Sequence, residues 1–219
     1  MAQTDSRYFA TYCRLDDENG DIKCKVNAGE VAVGLELVFD HEAYLNERNK
    51  ETARCTAKNL LDKELGFLPA SYARRLSDLA DDGWIVRLAS SALIFNEENK
   101  SFYIEAAVIA YEPEYAEAFD AFFKGCLDRL GAGDRPDIRL SDKLIDAALE
   151  DPNFYKTVRN TTYPKLKKGE AYYKRNRSLS ENMIIKGSER NIGCWIGTAF
   201  FWIVVIAAIF AFVYFFILK

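Results

Sequence analysis

Histidine is nearly missing from this chain of 219 residues, which contains a single one, His41. This scarcity removes most zinc sites, because zinc centres rely on histidine and on clustered cysteine ligands. A catalytic role for His41 would also require a nucleophile within reach, and no GxSxG motif supplies one. We therefore predict that His41 lies in water at a strand-to-helix junction, without a catalytic or metal-binding role.

Paired cysteines are missing too, since the five cysteines are scattered and form no CxxC motif: Cys13, Cys24, Cys55, Cys126 and Cys194. This pattern is typical of free thiols in a reducing compartment rather than of a disulfide framework. Cys13 and Cys24 flank a turn-like stretch around Asn19-Gly20. If these two residues formed the turn, Cys13 would face Val26, so we predict no disulfide there.

Motifs that cradle phosphate or calcium are also missing. Neither GxxxxGK[ST] nor GxGxxG occurs in the chain. Residues 17–21 resemble the start of a calcium loop, but Ile22 stands where the sixth-position glycine belongs and Ala28 where a bidentate glutamate is needed. Four acidic residues open a predicted helix, where the helix dipole alone favours them: Glu112, Glu114, Glu117 and Asp120. We therefore predict no catalytic residues, no metal site and no cofactor.

Charge is divided unevenly along the chain. Residues 1–150 carry 18 Lys and Arg against 29 Asp and Glu, a net charge of −11, whereas residues 151–219 carry 11 against 4, a net charge of +7. An acidic body is a poor polyanion binder, because phosphate neutralisation supplies most of the affinity for nucleic acid. Residues 70–80 followed by a long hairpin have the order of a recognition helix and wing, but this charge leads us to predict no nucleic-acid partner.

Residues 192–218 form a run of 27 residues without a charge. As a helix, this run would be about 40 Å long and would exceed the roughly 30 Å hydrocarbon core of a bilayer. Trp195, Trp202 and Tyr214 lie towards its ends, where amphipathic rings are favoured. We therefore predict a single transmembrane helix at residues 192–218. No secretory signal is expected, because Met1 to Arg14 lacks an apolar core of the required length.

A basic stretch at residues 151–191 precedes this run and sets its orientation. Between Lys156 and Arg190 there are ten basic and three acidic residues, whereas one lysine follows the run. The positive-inside rule therefore places residues 1–190 in the cytoplasm. We read the stretch as a linker whose charges set topology or contact anionic lipids, and the lipid contacts are expected at Lys165, Lys167, Lys168, Lys174, Arg175, Arg177, Lys186 and Arg190.

Small residues share one stripe of the predicted transmembrane helix: Gly193, Gly197, Val204, Ala208 and Ala211. Gly193 and Gly197 form a GxxxG pair, which allows two helix backbones to approach closely. The stripe predicts a homo-oligomer, although glycine and alanine are common in membrane helices without any such role.

Residues 1–150 are predicted to form one α+β domain, an antiparallel sheet with helices packed on it. Its first half is predicted as a hairpin of Tyr8–Leu15 and Ile22–Val26, an alternating strand at Val31–Phe39 and a helix at Glu42–Leu65. Its second half is predicted as a helix at Ala70–Ala80, strands at Trp84–Phe95 and Ser101–Tyr111, a helix at Glu114–Leu130 closed by Gly131, and a helix from Ser141 to Glu150. Apolar residues on both faces of Ser101–Tyr111 predict a central strand covered on both sides.

This layout of strands, helix, long hairpin, helix and tail anchor resembles the longin-type domains of vesicle-trafficking proteins, and the resemblance implies a trafficking role. The strand at Val31 and the inserted helix at Ala70 depart from that plan. The stretch before the anchor also lacks the sustained heptads of a fusion-type coiled coil. The resemblance therefore rests on layout alone.

We expect a tail-anchored, single-pass membrane protein whose cytoplasmic domain is a protein-interaction or adaptor module at the membrane surface. The missing catalytic motifs, the basic stretch and the small-residue stripe favour this function. Two alternatives stay open: a membrane-tethered enzyme or small-ligand sensor, and a membrane-active effector that oligomerises through its helix. A deep pocket with converging carboxylates, or a ligand in the purified domain, would favour the enzyme or sensor.

Overall fold

The computed structural model describes residues 7–17, 22–45 and 51–173, which all lie within the first of two units, Met1–Arg175. The predicted transmembrane helix at residues 192–218, its small-residue stripe and Cys194 lie outside the described residues. So do five of the predicted lipid contacts: Lys174, Arg175, Arg177, Lys186 and Arg190. Among the described residues, no helix has the length and apolar character needed to cross a membrane.

The described residues form an α+β fold with an antiparallel sheet and helices, as the sequence predicts. The elements follow in the order β1 (Tyr8–Arg14), α1 (Ile22–Asn27), β2 (Glu36–Leu45), β3 (Glu51–Lys58), β4 (Glu64–Phe67), α2 (Ala70–Asp81), β5 (Ile85–Asn96), β6 (Ser101–Tyr111), α3 (Ala116–Ala132), α4 (Asp142–Glu150) and β7 (Glu170–Tyr172). Short 3-10 helices lie at Pro113–Tyr115 and Phe154–Lys156.

The sheet is curled. Its strand order is β1-β6-β5-β2-β3-β4, every pair is antiparallel, and β7 pairs with β5 off this path. Asp16, just after β1, exchanges two backbone hydrogen bonds of 2.8 Å with Phe67 at the end of β4. The last strand of the path, β4, therefore lies beside the segment that follows the first strand, β1. The curled sheet encloses a core.

Strand β6 is central and covered on both sides, as predicted. Its even-numbered residues from Phe102 to Ala110 belong to an inner cluster with α2 and the curled strands. Its residues Ala107, Ile109 and Tyr111 belong to an outer cluster that also contains Phe119 and Phe122 of α3. Successive side chains of a strand point to opposite faces, so one strand supplies both layers of the core.

Helix α2 matches its prediction closely, while α3 is displaced at both ends. A 3-10 turn precedes α3, which runs past Gly131 and ends at Gly133, where φ is +97°. Gly131 is instead a point of close approach: a Cβ added at Gly34 would lie 2.4 Å from the Gly131 backbone nitrogen. Since φ at Gly34 is +77°, only glycine fits at the point where the segment before β2 crosses helix α3. Helix α4 follows Ser141 as predicted.

The predicted hairpin of Tyr8–Leu15 and Ile22–Val26 is wrong. Ile22–Asn27 is helix α1, and β1 pairs with β6 instead. Ile22 and Val26 are both fully buried while Lys23 is exposed. Residues four apart share one face of a helix and also one face of a strand, so the short apolar pattern fits either structure. The packing of Ile22 and Val26 in the core favours the helix.

The predicted helix at Glu42–Leu65 is also wrong, because the segment contains the end of β2, all of β3 and the start of β4. Cys55 and Ala57 are fully buried at the period of a strand. Asn59 forms the turn after β3, where its Oδ1 accepts hydrogen bonds from the backbone nitrogens of Leu61 and Lys63. The predicted strand at Val31–Phe39 begins only at Glu36.

Candidate ligand-binding site

A buried ion pair lies on the outer face of β6. Glu105 Oε1 and Arg135 Nη2 are 2.8 Å apart, and the side chains are only 8% and 7% exposed. Burying two charges costs several kcal/mol per ion, which pairing and further hydrogen bonds must offset. Each partner of this pair is therefore held by additional groups.

Glu105 is held by a β-bulge in the neighbouring strand. The register between β5 and β6 shifts between Ser90 and Ala92. The extra residue, Ser91, is fully buried, and its hydroxyl donates to Glu105 Oε2 at 2.6 Å. Burial raises the pKa of Glu105, while the hydrogen bonds from Ser91 and Arg135 and the charge of Arg135 oppose that rise. Bulges commonly redirect side chains next to functional sites.

Arg135 follows the turn that Gly133 makes at the end of α3. Its Nη1 donates to the Thr162 carbonyl oxygen and its Nη2 to Glu105. The guanidinium carbon lies 3.9 Å from the centre of the Tyr12 ring, and the face of an aromatic ring attracts a cation placed above it. Among the described residues, Arg135 Nε is the buried side-chain nitrogen left without a hydrogen-bond partner.

Residues 159–173 cross over this ion pair, and we name them the strap. The backbone nitrogens of Asp137 and Thr161 donate to the carbonyl oxygens of Arg159 and Arg135, at 2.8 and 2.7 Å. Further along, the strap forms β7 and pairs with β5. Both Nη atoms of Arg14 lie 3.2 Å from Glu170 Oε1. The strap is thus tied down at both ends.

A polar cavity of about 410 Å³ lies between β1, α2 and the strap. Because Thr11 and Tyr12 are adjacent and point to opposite faces, the cavity runs along the edge of β1. Hydroxyl and charged side chains dominate the lining, which consists of Thr11, Tyr12, Tyr72, Glu105, Arg135, Arg139, Thr161, Thr162, Tyr163, Pro164 and Lys165. Arg139 and Lys165 are exposed, whereas Glu105 and Arg135 form the floor.

Two tyrosines of the cavity, Tyr12 and Tyr163, are neutral hydrogen-bonding groups. Burial raises the pKa of Tyr163 and, to well above its usual range, the pKa of Tyr12. The Tyr12 hydroxyl donates to the Pro136 carbonyl oxygen at 2.6 Å, and that of Tyr163 to the Gly133 carbonyl oxygen at 3.0 Å. The first bond holds the loop after α3 against β1, and the second holds it against the strap.

The other sequence candidates lie elsewhere. His41 is within β2 opposite Cys55, so the prediction of a strand-to-helix junction is wrong. Its Nε2 lies 3.1 Å from Asp81 Oδ1, and its ring stacks on Phe39. Within the described chain, no group of three or more His, Cys, Asp or Glu side chains could hold a metal. In the acidic cluster, Asp120 binds Arg87 at 2.7 Å.

The four cysteines that the structure describes are free thiols. Burial raises the pKa of Cys13 and Cys126 to about 12 and that of Cys55 to about 11, while Cys24 is exposed. A thiol with so high a pKa is a poor nucleophile at neutral pH. These three buried cysteines therefore act as small core residues.

Three predicted lipid contacts fall on the strap. Lys165, Lys167 and Lys168 are exposed, and Lys165 also lines the cavity. Sequence reasoning did not single out Glu105 and Arg135. The available signal was Glu105 itself, the one charged residue in the apolar strand Ser101–Tyr111. A charge at a position that must be buried indicates a partner elsewhere in the chain.

Comparisons with known proteins identify no family. No model of a protein family matches the chain, and no curated protein matches it. A crystal structure of a protein from Lactobacillus plantarum is 13% identical, with a TM-score of 0.35, and the match covers 48% of this chain and 98% of that one. A likeness this weak indicates neither the fold nor a function.

Proposed function

We propose that the chain is a membrane-anchored sensor whose folded domain, residues 7–173, binds a small polar ligand in the cavity beneath the strap. The cavity over the Glu105–Arg135 pair is the observation that carries this proposal. Its volume of about 410 Å³ lies within the range of small-molecule sites, roughly 300–1,000 Å³. The uncharged run at residues 192–218 would hold this domain at a membrane, with the domain in the cytoplasm.

The cavity favours binding over acid–base chemistry. Glu105 is the carboxylate in its lining, and its two oxygens accept hydrogen bonds from Arg135 and Ser91. A general acid or base must be free to exchange a proton with a substrate. The site therefore supports a sensor better than an enzyme.

The strap gives ligand binding a route to the anchor. It lines the cavity with residues 161–165 and leads along the chain into the basic residues before the predicted transmembrane helix. Ligand contacts with the strap would act directly on the chain that leads from the domain to the anchor. A sensor needs such a physical connection between its binding site and its output.

Binding is tested on the full-length chain in nanodiscs by thermal unfolding against a panel of neutral, cationic and anionic metabolites. A ligand at 100 times its Kd should add about 2.7 kcal/mol to the free energy of unfolding. Thr162 is exposed and lines the cavity, so Thr162→Trp should fill the cavity and abolish the ligand's shift of the unfolding temperature. Thr157→Trp is a matched control outside the cavity and should keep the shift. A panel without any stabilising compound would contradict the proposal.

The anchor is tested separately by Ile206→Arg in the middle of the uncharged run. A charge at the centre of a membrane helix costs about 2.5–3.5 kcal/mol on insertion scales. We expect the variant to leave the carbonate-resistant membrane fraction, in which the wild type should remain. Glycosylation at Asn99 or Asn160, which begin acceptor triplets, would contradict the cytoplasmic orientation.

A protein-interaction module is the second candidate function, and one exposed turn favours it. Leu60 and Leu61 are 44% and 70% exposed, and Asn59 holds their turn in place. Exposed leucines on a hydrogen-bonded turn suit a protein contact. Crosslinking of the full-length protein in its own membranes should capture a partner, and Leu60→Asp with Leu61→Asp should abolish the product. A partner-free monomer would contradict this function.

The sequence predictions for the membrane region remain part of the proposal. Anionic lipids would contact Lys167 and Lys168 on the strap together with the basic residues that follow it. Self-association would use the stripe of Gly193 and Gly197, so Gly197→Leu should shift a crosslinked dimer to monomer.

A further inference from the structure

We propose that the cavity binds a dianionic phosphate group, a phosphomonoester, between Arg139 and Lys165 at its mouth and Arg135 at its floor. This inference rests on the proposed sensor function and names the class of its ligand. It is argued from the charge, the donors and the size of the cavity.

The first step is charge. The lining contains three cations, Arg135, Arg139 and Lys165, against one carboxylate, Glu105. Asp137, outside the lining, pairs with Arg139 at 3.3 Å, so the site keeps an excess of positive charge. Arg135 and Arg139 belong to residues 1–150, whose net charge is −11, whereas Lys165 comes from the basic stretch at residues 151–191. A phosphate monoester carries about −1.5 to −2 at neutral pH, so these cations attract it more strongly than a carboxylate with a single charge.

The second step is the supply of donors. Glu105 and the strap already bind both Nη atoms of Arg135. Arg139 uses its Nε for Asp137 at 3.3 Å, which leaves its Nη groups for a ligand. No carboxylate among the described residues pairs with Lys165, whose three N–H donors remain. Arginine forks and lysine are the usual phosphate-binding groups, and Thr161 and Thr162 add hydroxyl donors to the lining.

The third step is the unpartnered Arg135 Nε in the floor. A buried donor without a partner costs about 1–3 kcal/mol. The Nε atom is closed to solvent, so a ligand oxygen would reach it only through a small shift of the Arg135 side chain. That oxygen could then accept the hydrogen bond, which a cation or an apolar group could not do. The arrangement therefore disfavours a cation, while the charge of the lining favours an anion over a neutral acceptor.

The fourth step is size. The cavity of about 410 Å³ is larger than a phosphate ion needs, so the group would carry an attached organic part. That part comes either from a soluble metabolite or from a lipid headgroup, and both share the phosphomonoester chemistry.

The test measures binding to the full-length chain in nanodiscs of neutral lipid by calorimetry. Phenyl phosphate should bind about tenfold more tightly than phenyl sulfate, which has the same organic part and one charge less. Arg139→Gln and Lys165→Gln should each weaken phenyl phosphate binding about tenfold, whereas Lys168→Gln, a lysine three residues along the strap and outside the cavity, should have little effect. Equal losses from Lys165→Gln and Lys168→Gln would overturn the proposal.

Two further arms identify the source and separate the two proposals. Competition by phosphatidic acid but not by phosphatidylglycerol in the nanodisc would assign the group to a lipid, and competition by glycerol 3-phosphate alone would assign it to a soluble ligand. Suppose that a neutral or cationic ligand binds, that Thr162→Trp abolishes its binding, and that phenyl phosphate does not bind. This result would overturn the phosphate class and leave the sensor function standing. A cavity that binds no compound of either panel would overturn both.

Discussion

The outer face shared by β1 and β6 has two contrasting ends. At one end, Tyr8, Ile109 and Tyr111 pack beneath α3 and α4 in a cluster of apolar and aromatic side chains. At the other end, Tyr12 and Glu105 lie beneath Arg135 and the strap. We call these the apolar end and the polar end.

The two ends use different forces. Burial of apolar surface stabilises the apolar end in proportion to area and needs no partner geometry. The polar end must satisfy each buried charge with a matching group, and a hydrophobic replacement of similar volume is often neutral or stabilising. A polar end kept at that cost is therefore the place to look for function.

Breaking the buried pair should have the largest effect. Arg135→Met leaves Glu105 buried without its partner, and we expect a loss of about 3–5 kcal/mol in the free energy of unfolding. Urea denaturation measures it. Glu105→Leu combined with Arg135→Met should recover most of the loss, because neither charge remains. A single variant as stable as the wild type would show that the pair is not buried in solution.

Overpacking the apolar end should cost somewhat less. A Cβ added at Gly125 of α3 would lie 2.1 Å from Cγ of the Tyr155 ring. Gly125→Ala should therefore destabilise the domain by about 3 kcal/mol, measured by the same denaturation. Gly125→Ala combined with Tyr155→Ala removes the clash and should be more stable than Gly125→Ala alone. No recovery in the double variant would place the strain elsewhere.

The sequence predicted the elements whose local pattern agrees with their final packing. The strand at Ser101–Tyr111 is apolar on both faces and is central, and the helix at Ala70–Ala80 lies between Pro69 and Gly83. The helix predicted at Glu42–Leu65 was wrong because the spacing of alanine and leucine in this segment fits a helix although the segment folds as strands. In the fold Ala57 is buried while Leu60 and Leu61 are exposed.

The ligand site could be predicted only in part. Glu105 is visible as a charge within an apolar strand, but Arg135 lies 30 residues away after the turn at Gly133. Its position over β6 depends on how α3 packs and where the strap returns, and both are long-range features. Local periodicity carries no information about such crossings, so the sequence could not pair the two residues.

Deleting one hydrogen bond at each end sharpens the comparison. Ser91→Ala removes a hydroxyl that donates to the charged Glu105, and we expect a loss of about 2 kcal/mol. Tyr8→Phe removes a hydroxyl that donates to the Ile138 carbonyl oxygen at 2.8 Å, and we expect about 1 kcal/mol. Chemical denaturation of both variants compares them directly. A larger loss for Tyr8→Phe would contradict the view that charge governs the polar end.

The smallest effect is the pH dependence of the polar end. Burial raises the pKa of Glu105 above its ordinary value of 4.5, so the folded state holds this proton more tightly than the unfolded state. Stability from this group is therefore full below about pH 4.5 and falls as the pH rises through the folded pKa. Glu105→Gln removes this titration, so the wild type should lose stability relative to the variant from pH 4 to pH 7. A wild type that gains stability relative to the variant would mean that Arg135 outweighs burial and lowers the pKa of Glu105 instead.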